Sequence, residues 1–126
     1  MSDPLLPRRL VRPGGPPQSK SDLSPSRRRL IELLQELNFG RVEALVIRAG
    51  EPVLDPPPRR VREVKFAADN DPRPERAAPD FRLKAQQVEL MALLDRVRDG
   101  TVESIECRHG LPFRAAVAEQ VRRPAA

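Results

Sequence analysis

The chain has little of what usually marks a catalytic or cofactor site. It holds one cysteine, Cys107, and one histidine, His109, and it lacks tryptophan and tyrosine altogether. A single cysteine excludes an intramolecular disulfide. One Cys with one His falls short of the three or four protein ligands that a zinc centre takes. No stretch reaches the roughly 18 apolar residues of a membrane span. Leu5-Leu6 and Leu10-Val11 are cut apart by Pro7 and arginines, so no secretory apolar core forms there. Arg8-Arg9 and Arg27-Arg28 lack the apolar run that follows a twin-arginine signal. The expectation is a cytoplasmic chain with no membrane partner. The spacing of Gly40, Gly50, Gly100 and Gly110 is unlike that of phosphate-cradling loops, so these four read as structural glycines and no cofactor is implied.

What is abundant is proline and arginine. Fifteen prolines are present, six between Pro4 and Pro25 and six between Pro56 and Pro79, so those stretches are poor material for helices or central strands. Twenty of the 23 basic residues are Arg, a bias that a GC-rich bacterial genome accounts for. Residues 1–29 carry seven basic and two acidic side chains, whereas residues 30–126 carry sixteen of each. The whole excess of +5 therefore lies at the start, and a basic balance that points to nucleic acid or an acidic surface applies only there.

Residues 1–24, rich in Pro, Arg, Gly and Ser, have too few apolar side chains to offset the entropy of ordering and are expected to be a disordered tail. Ser24-Pro25 is a helix start, with an N-cap residue followed by proline at the first helical position. Leu30, Ile31, Leu33, Leu34 and Leu37 form an amphipathic stripe, and Gly40 is expected to stop the helix in a left-handed conformation. Val42–Ile47 reads as a strand, Arg48–Glu51 as a hairpin turn and Pro52-Val53-Leu54 as the return strand. Val61–Phe66 is expected to be a further strand, and residues 67–80 a proline-broken loop. A second helix is expected from about Asp80 or Lys84 to Arg98, bearing Leu90, Met91, Leu93, Leu94 and Val97. Ala115–Arg123 is ambiguous: its Ala and Glu favour helix, its position favours a return strand.

The second set of apolar positions is the first set shifted by 60 residues. Comparing residues 30–54 with 90–114 without a gap, nine of 25 positions are identical, where chance gives roughly two. Gly40 and Gly50 fall on Gly100 and Gly110, Val42-Glu43 on Val102-Glu103, Arg48 on Arg108 and Pro52 on Pro112. This is an internal repeat. One unit of about 25 residues cannot bury a helix face and a hairpin alone, and two together can. The expected fold is α+β: two tandem helix–β-hairpin repeats related by a pseudo-twofold axis, forming a two-layer sandwich behind the tail. The division is tail 1–24, first repeat 25–66, Pro-rich linker 67–80 and second repeat 81–126.

The stretch Leu37-Asn38-Phe39-Gly40-Arg41-Val42-Glu43, followed by Gly50 and Val53, resembles the small YezD-like bacterial family of unknown function, whose members have a helix, then Phe-Gly-x-Val, then a hairpin turned at glycine. The resemblance spans about 25 residues per copy, and the second copy has Asp99 in place of the Phe. It implies a helix–hairpin fold and no known activity.

Candidate chemistry is sparse. Cys107 and His109 are two apart and could share a strand face as a nucleophile and base. Cys107, however, stands where Ile47 stands in the first copy and His109 where Ala49 does, which favours a small buried apolar residue and a turn residue. Asp69-Asn70-Asp71 faintly resembles a calcium loop but lacks its central Gly and terminal Glu, so a solvated acidic loop is the better reading. Glu43 and Glu103 are duplicated carboxylates suited to acid–base work, or to pairing with the equally duplicated Arg48 and Arg108, the reading favoured here. Arg8, Arg9, Arg12, Lys20, Arg27, Arg28 and Arg29 are candidate phosphate contacts without base readout, since no aromatic residue lies among them. The expectation is a non-enzymatic binding or assembly module with a protein partner or a second copy, with no metal or catalytic residue. The alternative is a nucleic-acid-associated protein acting through the basic tail.

Overall fold

The computed structural model describes residues 17–119. Helix α1 spans Pro25–Leu37, and the Oγ of its N-cap Ser24 accepts the Arg27 N–H at 3.3 Å. It buries Leu30, Ile31, Leu33, Leu34 and Leu37, the stripe that the sequence presents at helical spacing. Helix α2 spans Ala85–Val97 and buries Leu90, Met91 and Leu94. It starts after Lys84, not at Asp80. Helix α1 does not stop at Gly40, whereas α2 ends at Arg98 as expected. The caps are Asn38 (φ 65°), two residues before Gly40, and Arg98 (φ 57°), whose N–H groups donate to the Leu34 and Leu94 carbonyls. Gly40 and Gly100 instead open strands. At Gly40 the need for glycine is steric, because a Cβ there would lie 2.1 Å from the Val61 carbonyl oxygen.

Five strands form one antiparallel sheet: β1 (Gly40–Arg48), β2 (Glu51–Pro52), β3 (Arg59–Arg62), β4 (Gly100–Arg108) and β5 (Leu111–Val117). The order is β2-β1-β4-β5, with β3 also paired to β1. The turns that join β1 to β2 and β4 to β5 have positive φ at both central residues, Ala49-Gly50 (52°, 78°) and His109-Gly110 (54°, 74°), as a two-residue turn between twisted strands requires. At the centre, β1 lies beside β4 with Gly40 opposite Cys107 and Ile47 opposite Gly100. The bounds of α1 and β1 are those of α2 and β4 less 60.

The inward faces of these strands and both helices build one apolar cluster, in which Leu30, Ile31, Leu34, Val42, Leu45, Ile47, Met91, Leu94, Val102 and Ile105 are fully enclosed. Each such side chain stabilises the fold by about 1.5–3 kcal/mol relative to leaving it in water. Strict alternation does not describe the strands. Val42 is followed inward by Leu45, and Val102 by Ile105, because Ala44 (φ 55°) and Glu103 stand outside the β1–β4 ladder and shift the parity of each strand. The other face of the sheet is polar: Arg59 pairs with Glu43 at 3.1 Å, Glu43 with Arg41 at 2.6 Å, and Glu106 with Arg114 at 4.0 Å.

Three expectations need correction. The expected tail over residues 1–24 is ordered at its end, its residues 1–16 lying outside those described: Lys20–Asp22 is a 3-10 turn, Ser19 bridges Arg82, the Lys20 N–H donates to the Phe81 carbonyl and Leu23 is buried. The return strand of the first hairpin breaks after Pro52, where Pro56-Pro57-Pro58 divert it, and resumes as Arg59–Arg62; the strand expected over Val61–Phe66 thus begins earlier and ends sooner. The stretch 67–80 contains a 3-10 turn, Pro74–Ala77, tied to α1 by the Arg73 N–H donating to the Gln35 carbonyl. In the ambiguous C-terminal stretch, strand geometry prevails through Val117.

Candidate functional site: a cationic cavity beside the second turn

The residues proposed from sequence do not converge. Cys107 is buried in the core with its thiol toward the Leu34 carbonyl at 3.8 Å, and burial pushes the thiol pKa up to about 12. His109 sits exposed on the turn, its ring edge against Phe39 at 4.8 Å. The two therefore make no nucleophile–base pair. Asp69, Asn70 and Asp71 serve the loop that holds them: the Asp71 N–H donates to Asp69, and the Asn70 side chain bonds both the N–H and the carbonyl of Lys65. Among the described residues no three His, Cys, Asp or Glu side chains group as a metal site would require.

Glu43 and Glu103 are not equivalent. Glu43 is held below the usual carboxylate range by its hydrogen bond from Arg41, with Arg59 adding to the effect. Its partners are thus Arg41 and Arg59 and not Arg48, and Glu103 is exposed beside the irregularity of β4 without an ion pair among the described residues. Arg108 lies over the Phe113 ring at 4.0 Å.

The basic candidates divide. Arg8, Arg9 and Arg12 lie outside the described residues. Lys20 is corrected: it is 2% exposed, ion-paired to Glu32 at 2.9 Å and donating to the Ala78 carbonyl at 2.7 Å, so it is unavailable to phosphate. Arg27 donates to the Gly50 carbonyl at 2.8 Å and to Asp95 at 2.6 Å. Arg29 pairs with Glu36 at 2.9 Å. Arg28 makes no ion pair among the described residues.

One feature escaped sequence reasoning. A cavity of about 410 Å³ opens beside the second turn. His109, Gly110 and Leu111 line it from the hairpin, Lys84 and Gln87 from the start of α2, Gln35 from α1, and Arg73, Glu75, Phe81 and Arg82 from the connecting segment. Arg73 is neutralised by Glu75 at 3.1 Å, which leaves Arg82 and Lys84 as its unpaired cations among the described residues. Gln35 is 4% exposed and its Oε1 has no hydrogen-bond partner among the described residues, a cost of about 1–3 kcal/mol for a buried acceptor. Asn38 Oδ1 is likewise unpartnered, and Asn38 does not line the cavity. The only sequence signal for this site is a lysine where a helix N-cap prefers Ser, Thr, Asp or Asn.

Taken together, these elements define an α+β protein: two helices and an antiparallel sheet sharing one core. Comparison of the chain with protein-family models, with curated proteins and with solved structures finds no match. No helix among the described residues is long and apolar enough to cross a membrane.

Proposed function

We propose that the chain is a tandem duplication of a helix–hairpin unit, folded as a two-layer sandwich, and that it acts as a non-enzymatic binding module through protein–protein contacts along the outer edge of β5. The duplication is supported by element bounds 60 residues apart and by the matching register of β1 on β4. The observation that carries the function is the inequality of the two sheet edges. On one side β3 presents Arg59, Arg60 and Arg62 after three consecutive prolines, devices that discourage further pairing. On the other side β5 is seven residues long, pairs only with β4 among the described residues, has its one proline, Pro112, near its start, and beyond it carries one charge, Arg114, beside exposed Phe113, Ala115 and Ala116. An unpaired strand of this length is suited to receive an extended segment of a partner or of a second copy by main-chain hydrogen bonds. The polar, ion-paired open face is less suited.

The test is a double substitution, Phe113→Lys with Ala116→Lys, which places charge on the edge without entering the core. Sedimentation and cross-linking of the full chain should show self-association or retention of a strand-donating partner, and the double variant should lose it while keeping its melting temperature. A wild-type chain that stays monomeric and retains no partner removes this reading.

A further inference from the structure

The start of α1 and the start of α2 occupy corresponding places, and only one of them is filled. At α1, the Glu51 carboxylate accepts from the hydroxyls of Ser24 and Ser26, both at 2.5 Å. Arg27 closes the site, donating to the Gly50 carbonyl and to Asp95. This is an anion at a helix N-terminus, where partial positive charge favours it. Sixty residues on, Gly50 is kept as Gly110, Ser26 becomes Gln86 outside the cavity, and the other four groups are exchanged. Glu51 corresponds to Leu111, Ser24 to Lys84, Arg27 to Gln87 and Asp95 to Gln35. All four counterparts line the cavity.

The exchanges have one chemical sense. The counterpart of Glu51 carries no carboxylate, the cavity's own Glu75 being paired with Arg73, and a lysine, which can only donate, stands at the cap. Arg82 adds a second cation. The acidic acceptor that Arg27 satisfies at the first site becomes Gln35 Oε1, which is buried and unpartnered. Phe81 and Leu111 supply apolar wall. The cavity volume lies in the range of small-ligand pockets, about 300–1,000 Å³.

We propose that this cavity binds a carboxylate that carries a neighbouring N–H donor and an apolar group, the chemistry shared by an N-acyl amino acid and a peptide C-terminus. The carboxylate takes, at the start of α2, the place that Glu51 holds at the start of α1, with Lys84 and Arg82 as its cations. The N–H is directed to Gln35, whose Oε1 is fully covered and reaches it by a turn of the side-chain amide toward the cavity. The proposal rests on the duplication reading above, and is independent of the β5 edge.

The test uses the full chain, amide NMR and three probes: N-acetylleucine, its carboxamide N-acetylleucinamide, and inorganic phosphate. Saturable shifts of the amides of residues 84–87 and 109–111 with N-acetylleucine are expected in the low-millimolar range or tighter. The carboxamide should bind at least about tenfold more weakly, because charge-assisted hydrogen bonds are lost. A leucine-terminated tetrapeptide that binds more tightly than N-acetylleucine identifies a chain end as the source, and equal binding identifies the free acid. Gln35→Leu should weaken N-acetylleucine binding without loss of fold. Leu111→Glu should block it by supplying the carboxylate from within. No saturable shift with N-acetylleucine, equal binding of the carboxamide, or a response to phosphate alone overturns the proposal. If no probe binds while Leu111→Glu folds as stably as wild type, the ligand assignment alone fails. If Leu111→Glu unfolds, the correspondence of the two helix starts fails with it.

Discussion

Gly50 donates its N–H to the Arg98 carbonyl at 2.9 Å, so the first hairpin turn is tied to the end of the second helix. Gly110 makes the reciprocal bond to the Asn38 carbonyl, also at 2.9 Å. Each turn glycine is thereby pressed against a helix. At Gly50 an added Cβ would meet only the tip of the Arg27 side chain at 3.2 Å, whereas at Gly110 it would lie 2.6 Å from Arg73 Cγ and 3.2 Å from the Gln35 Cα.

The four repeated glycines should therefore respond differently to alanine. Gly50→Ala should cost about 1–2 kcal/mol from its left-handed backbone, Gly110→Ala more, and Gly40→Ala most. Gly100→Ala should fall within about 0.5 kcal/mol of wild type, since its Cβ would find only Val97 Cγ1 at 3.4 Å. Denaturant unfolding of the four variants gives the order directly, and equal losses at Gly40 and Gly100 would contradict it.

Lys20 should behave as a structural lysine. Lys20→Ala removes its bonds to Glu32 and the Ala78 carbonyl, and a hydrogen bond from a charged group stabilises by about 1.5–3 kcal/mol. Hydrogen exchange should speed up at the amides of Lys20 and Leu83, which join residues 18–20 to 81–83. Unchanged protection there would place the stability of that contact elsewhere.

How far the sequence carries the fold can be read at single positions. Ser24-Pro25 and the leucine stripe mark α1 well, because capping chemistry and helical spacing are local. The Ala-Gly and His-Gly turns are equally local. The end of α1 falls earlier than Gly40 suggests because Asn38 takes the positive-φ cap, whereas α2 ends at Arg98 as its sequence indicates. Lys20 could not be recognised as buried, since its partners lie at Glu32 and Ala78, brought near by folding. The parity shift at Ala44 and Glu103 lies where the ladder between β1 and β4 is interrupted, and no single strand encodes it. The cavity is harder still: it exists through what Leu111 and Gln35 fail to supply.

Three carboxylates set the acid response. Burial pushes Glu36 up, but the hydrogen bond and charge of Arg29, with Arg60 and Arg76, more than reverse this. Arg41 lowers Glu43 and Arg73 lowers Glu75. All three folded-state values lie below the ordinary 4.5, so the unfolded chain binds these protons more readily. Their contribution is complete above that value and is lost as the pH falls through the lowered ones. Through these groups the melting temperature should fall in acid, and Glu36→Gln should make that fall shallower; the raised Cys107 thiol works the other way and lowers stability as the pH climbs above 9.0.

Cys107 should be inert in the folded chain. Its thiol is 2% exposed and its pKa, at about 12, leaves almost no thiolate at neutral pH. Iodoacetamide should label it slowly in buffer and rapidly in denaturant. Rapid labelling of the native chain would show that the β4–α1 contact opens.

The prolines that split the first return strand have a consequence for counting. Because they leave one rim of the sheet bearing Arg59, Arg60 and Arg62 and the other only Arg114, the strand addition proposed above would be confined to a single side. Two copies joined β5 rim to β5 rim around a twofold axis would turn only the β3 rims outward. Growth would then end at a pair, whereas a chain with an uninterrupted first hairpin would have no terminus and would propagate as a fibre.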